Sequence, residues 1–199
     1  MTTTIDDLLA RMRALEGELQ GEFAKKRQEI EFAIESNRVR FAREVLQRQR
    51  QHRIGLWRYL RASRLSVALS APLVYAGFLP FALLDLFVTV YQRLCFPIYG
   101  IPTARRGDYL QFDRGDLPYL NAIERFICFY CSYANGVAAY AREVVARTEQ
   151  YWCPIKHARR IVAAHDRYPR FFEFGDAQSY REGLERLRQR YVDTGGLPR

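Results

Sequence analysis

Lysine is nearly missing from this sequence: of the 31 basic residues only Lys25, Lys26 and Lys156 are lysine, and the remaining 28 are arginine. Also missing are a phosphate-binding P-loop, a dinucleotide-type glycine fingerprint, a nucleophile elbow and an H-E-x-x-H pair, so none of those motifs assigns a reaction. Four cysteines in 199 residues, without an amino-terminal signal peptide, do not make a secreted disulfide framework and predict reduced thiols on the cytoplasmic side. There is no internal repeat and no low-complexity tract. With 49% hydrophobic residues the chain is too apolar to be disordered, and with 27% charged residues it is too polar for a bundle of spanning helices. A soluble chain with one lipid-loving part is the expectation.

The net charge of +9 is unevenly spread: residues 1–36 carry −3, residues 37–64 carry +8 with Glu44 as their one acid, 65–152 balance to zero, and 153–199 carry +4. In the acidic arm, Ile5, Leu8, Met12, Leu15 and Leu19 recur at alternating spacings of three and four, the seam of a coiled coil. The beat slips near Gly21 and resumes at Phe23, Ile30, Ile34, Phe41 and Val45, as a stutter would. A continuous helix over 5–54 would reach roughly 75 Å, too long to stand without a partner, which predicts a homo-oligomer through residues 5–54. A single charged helix folded back on its own chain is the alternative.

In the next stretch, residues 54–64, Trp57 shares an apolar face with Ile54 and Leu60 while Arg53, Arg58, Arg61 and Arg64 surround the other, as in an interfacial segment on anionic lipid. Nucleic acid is a poorer partner for this cluster, because no recognised DNA or RNA motif accompanies it. Residues 65–91 then contain one charge, Asp85, and exceed the ~20 residues a hydrocarbon layer requires. Pro72, Gly77 and Pro80 divide the run, and Arg93, Arg105 and Arg106 follow it. Basic flanks on both sides leave a single span and a Pro-broken re-entrant hairpin equally open. Asp85 inside this run is the intramembrane polar candidate, protonated or paired.

Beyond it, residues 97–116 look like a connector with a short strand near Tyr109 to Phe112. Asp116 is expected to cap a long amphipathic helix carrying Leu120, Ile123, Ile127, Tyr130, Ala134, Val137, Ala141, Val144 and Thr148. Small residues such as Ala134 and Gly136 would admit a packed helix. A further helix is expected from Pro154 to about Tyr168, and a last one from Asp176 to Val192. The fold class is thus all-α: coiled-coil arm (1–53), basic interfacial segment (54–64), membrane-embedded segment (65–96), connector (97–116) and helical cytoplasmic domain (117–199).

Cys128 and Cys131 form C-x2-C, and Cys153 with His157 forms C-P-x2-H, by type a four-ligand zinc set. Iron–sulfur or haem ligation is a weaker reading, and no cofactor at all is compatible. Geometry opposes sharing, because a straight helix from 117 to 151 would hold Cys131 and Cys153 about 33 Å apart. Cys153 at a helix start beside Lys156 would have thiolate character, whereas Cys128 and Cys131 read most simply as small apolar packing residues. Glu143, Glu149, Arg142 and Arg147 suggest a solvated or ion-paired helix face, and His165 a satisfied core histidine.

The runs LLDLFVTVYQRLCFPIYGIP (83–102) and YLNAIERFICFYCSYANGVAAYAREVVARTEQYWCPIKHARR (119–160) resemble an uncharacterised family of small bacterial membrane-associated proteins carrying the C-x2-C and C-P-x2-H motifs. The resemblance covers about half the chain and implies membrane association without an assigned activity. The sequence therefore predicts an oligomeric scaffold at the cytoplasmic face of a bacterial inner membrane, with a structural metal as an option. Its rivals are a membrane enzyme or electron-transfer component using the Cys/His set, and a pore or transporter subunit built around Asp85.

Overall fold

The computed structural model of the chain describes residues 2–28, 32–35, 38–41 and 43–191. The chain is mostly helical, and its contacts divide it into two units, Met1–Ala62 with Asp113–Phe126, and Ser63–Phe112 with Ile127–Arg199.

In the first unit, α1 (Thr2–Gln28) passes through Gly21 without a break. It ends well short of residue 54. An antiparallel hairpin follows, β1 (Phe32–Glu35) with β2 (Arg38–Phe41), pairing Phe32 with Phe41 and Ile34 with Val39, and then α2 (Arg43–Arg50). The single helix expected over 5–54 is thereby corrected. Ile34 and Phe41 satisfy the heptad beat, but Phe32/Ile34 and Val39/Phe41 also alternate with period two, and β-branched and aromatic residues favour the pleated form. A short α3 (Leu56–Ala62) buries none of its residues, and Trp57 is 76% exposed.

The expected cap at Asp116 is likewise displaced, since residues 113–116 form a 3-10 turn. Asn121 takes its place. Its side-chain oxygen accepts from the Glu124 N–H at 3.0 Å while the Glu124 carboxylate accepts from the Asn121 N–H at 2.8 Å, a reciprocal capping box at the start of α7 (Ala122–Trp152).

In the second unit, α4 (Leu65–Ala76) continues into α5 (Phe78–Tyr99) through Gly77, whose φ of −59° and ψ of −16° are helical. The chain does not fold back there. Together the two form one helix, Leu65–Tyr99, long and apolar enough to cross a membrane. It stops at Gly100, which adopts the left-handed φ of 66° while Ile101 N–H reaches back to the Phe96 carbonyl at 2.9 Å, a Schellman ending with Pro102 just beyond.

Residues 101–112 then return along α5 as a strap. A four-residue helix, α6 (Arg106–Tyr109), replaces the expected strand. Helix α7 lies along α5 in the same direction, as the pairs Asp85–Tyr133, Gln92–Tyr140 and Tyr91–Thr148 show. The core sits between them, formed by Val88 and Phe96 of α5, Ile101, Ala104 and Leu110 of the strap, and Val137, Tyr140, Ala141 and Val144 of α7. What packs on Gly136 is the strap backbone, not a helix: a β-carbon there would lie 2.8 Å from the Tyr109 carbonyl oxygen.

The helix expected from Pro154 is absent. Instead Phe172 N–H donates to Pro154 O at 2.9 Å and Lys156 N–H to Phe172 O at 2.7 Å, so this backbone is satisfied by a parallel bridge. Such tertiary pairing overrides local helix propensity. The last helix, α8 (Ala177–Gln189), begins where expected, with the Asp176 side chain accepting from Ser179 N–H at 2.9 Å.

Candidate functional site

Helix α5 is built inside out relative to a soluble core helix. Large apolar side chains at Leu79, Leu83, Leu86, Phe87, Val90, Leu94 and Ile98 are exposed, whereas Asp85 and Gln92 are buried on the opposite side. The spacing of three and four keeps the exposed set on one stripe. On α4, Leu65, Leu69 and Leu73 extend it, Val67 and Val74 are exposed on the other side, and no residue of α4 is buried.

The buried side is a polar seam. Arg106 of the strap grips Asp85 with both ends of its fork, Nε to Oδ1 at 2.8 Å and Nη2 to Oδ2 at 2.6 Å, and Tyr133 of α7 donates to the same carboxylate at 3.1 Å. Bidentate pairing of this kind fixes geometry as well as charge. The hydrogen bonds from Arg106 to Asp85 raise its pKa above the ordinary arginine value, and desolvation, reinforced by the nearby Asp85 charge, raises that of Tyr133. Two turns further on, Gln92 treats Ala104 as a strand neighbour would: its Oε1 accepts from Ala104 N–H at 2.9 Å and its Nε2 donates to Ala104 O at 3.2 Å. Nε2 also donates to the Tyr140 hydroxyl.

A second buried cluster fastens residues 153–191 to α7. The Arg167 side chain, only 1% exposed, donates to Glu143 Oε1 at 2.6 Å and to Gln150 Oε1 at 3.1 Å, and Arg147 Nε donates to the same Glu143 oxygen at 2.8 Å. Arg147 also reaches the Pro102 carbonyl at 2.7 Å, linking strap and cluster. Burial pushes the Tyr109 and Tyr191 hydroxyls up to about 12. His165 donates from Nε2 to Glu149 at 2.9 Å and accepts Arg167 N–H at Nδ1, so its ring is satisfied as expected, by the contact with α7 and not by a helix of its own.

The proposed zinc ligands are not brought together. Cys128 and Cys131 are half-buried within an unbroken α7, and Cys153 lies beyond its end, twenty-two residues past Cys131 and thus about 33 Å further along the axis. The His157 ring stacks against Tyr168. Among the described residues no group of three or more His, Cys, Asp or Glu is placed to hold a metal ion.

Comparison with family models, curated proteins and solved structures finds no match for this chain. Of the residues expected to meet lipid, Arg53, Trp57, Arg58, Arg61, Arg64 and Arg93 are all exposed, and Asp85 is paired. Sequence reasoning missed Arg106, Gln92, Tyr133, Tyr140 and Arg167 as structural partners. A signal existed for the second cluster, because Glu143, Arg147 and Gln150 follow one another at helical spacing on a helix whose other stripe is apolar.

Proposed function

We propose that this chain is a membrane-anchored organising protein: its apolar helix holds it on lipid, and α1 supplies a seam through which copies assemble. The observation that carries the reading is the row of exposed apolar side chains along Leu65–Tyr99, from Leu65 at 75% to Ile98 at 76%. An apolar patch of this extent is expected to meet a membrane or a partner in a soluble environment. The basic stretch that precedes it in sequence, with nine Arg in residues 37–64, favours an anionic surface. The buried ionisable groups support an organising role, since Asp85, Glu143, Arg147 and Arg167 are engaged in holding the strap and the carboxy-terminal segment.

Assembly is supported by Leu8, Met12, Leu15 and Leu19, which are exposed along α1 at heptad spacing. The test is flotation of the purified full chain with sealed vesicles, with and without anionic lipid. Co-flotation that weakens at high salt is expected. A chain that stays monodisperse without detergent and sediments free of vesicles overturns the reading.

A further inference from the structure

Resting on that membrane reading, the geometry points to a monotopic placement: Leu65–Tyr99 lies in the plane of one anionic leaflet, its apolar stripe in the acyl region and the strap on the water side. Three observations within the second unit carry this.

The first is where the strap sits. Arg106 is clasped to Asp85, twenty residues after Leu65 and fourteen before Tyr99, about 30 Å and 21 Å from the two helix ends. Arg105, Arg106 and Asp108 are exposed at that level. A crossing that centres Asp85 in the bilayer would carry these charges to hydrocarbon depth, where ionisable groups are costly and face a protein interior or an aqueous cavity. A crossing by residues 65–84, also about 30 Å long, would leave them at the surface, and is the crossing outcome that the depth profile and the flank cleavage below distinguish.

The second is the backbone of the strap. Residues 101–105 have no regular secondary structure. Ile101 N–H, the Pro102 carbonyl and both backbone groups of Ala104 have partners inside the protein, but Thr103 between them is exposed, and irregular backbone exposed to lipid does not occur within the hydrocarbon region. With the helix in plane, the same backbone faces water.

The third is the division of faces on α5. Leu79, Leu83, Leu86, Val90, Leu94 and Ile98 lie opposite Asp85 and Gln92, so along α5 the strap and α7 occupy one side and the apolar stripe the other. The polar half of an interfacial helix is here supplied by the packed strap and α7 rather than by the helix itself. Arg93 is exposed at the stripe's edge, where an in-plane helix sets cations against anionic headgroups. The re-entrant hairpin is also removed, because Gly77 continues the helix.

The experiment places spin labels at Leu73→Cys, Leu79→Cys, Leu86→Cys and Leu94→Cys in the full chain with its four native cysteines replaced by Ala. Depth is read from oxygen against nickel-chelate relaxation on sealed vesicles with 30% phosphatidylglycerol. An in-plane helix gives ratios agreeing within about twofold at all four sites, 5–10 Å below the headgroups. As a check on the unaltered chain added to preformed vesicles, external trypsin is expected to cut both the Arg58–Arg64 stretch and the Arg159–Arg160 stretch. Ratios that climb more than about fivefold toward the middle of the helix, or protection of one flank only, establish a crossing helix. That overturns the placement and leaves membrane anchoring intact. Failure to bind vesicles overturns both. Close label-to-label coupling between copies without lipid shows that a second chain covers the stripe, and also overturns the placement.

Discussion

Gln92→Leu tests whether the strap is held by the side chain that mimics a strand. Gln92 is 6% exposed and supplies both hydrogen bonds to the Ala104 backbone as well as one to Tyr140. Leucine keeps the volume and removes the partners. Each buried backbone group left unsatisfied costs about 1–3 kcal/mol, so two groups give about 2–6 kcal/mol before water relieves them. Ala104 is followed by an exposed stretch of strap, which lets water reach its neighbourhood and puts the expectation near 2–3 kcal/mol. At ~1.4 kcal/mol per tenfold, local opening of residues 101–112 becomes roughly 30- to 150-fold more frequent. The assay is amide hydrogen exchange in micelles or vesicles, comparing Ala104 with amides in the middle of α7. Faster exchange in the strap with α7 unchanged is expected. Equal protection of Ala104 in variant and wild type would falsify the argument that Gln92 fastens the strap.

Four other outcomes follow from the same contacts. Gly136→Ala places a methyl against the Tyr109 carbonyl and Leu110, and thermal unfolding should report a loss of about 1–3 kcal/mol from overpacking. Asn121→Ala breaks the capping box and is expected to cost ~1 kcal/mol in denaturant titration, with Asn121→Asp restoring most of it. Arg167→Met leaves Glu143 buried with Arg147 as its remaining cation among these contacts, and a destabilisation of about 3 kcal/mol should be accompanied by faster proteolysis of residues 153–191. Because burial raises Tyr109 and Tyr191 to about 12, the folded state retains their protons between pH 10 and 12 while the unfolded state releases them. The stability they contribute is complete below pH 10 and is lost as pH rises through that window. Absorbance at 295 nm should show two of the thirteen tyrosines ionising late, and a titration complete by pH 11 contradicts it.

Much of the helical layout was legible because periodicity and capping are local. The long α7 follows its apolar beat from Ile123 to Thr148, and Asp176 starts α8, since its side chain reaches Ser179 without help from elsewhere in the chain. Two local readings failed where signals overlapped or were overridden. Ile34 and Phe41 fit period 3.5 and period 2 equally well, and the hairpin took them. After Pro154, helix propensity gave way to a bridge with Phe172, eighteen residues further on, a contact no local window contains.

The candidate site divides in the same way. Sequence alone marked residues 65–91 as an apolar run long enough to cross a membrane, because hydrophobicity is summed residue by residue and needs no partner. That Pro72, Gly77 and Pro80 leave one continuous helix, Leu65–Tyr99, only the structure decided. The sequence also marked Asp85 as the group requiring an explanation. Which group answers it, Arg106, and that the answering strap sits at the helix's midpoint, depended on a reversal at Gly100 and on packing between α5 and α7. The separation of Cys131 and Cys153 was legible as well, since the continuous apolar phase of α7 predicts the unbroken helix that holds them apart. Spacing along a chain states which side chains share a helix face, whereas distance between elements is fixed only when buried polar groups find partners across the core.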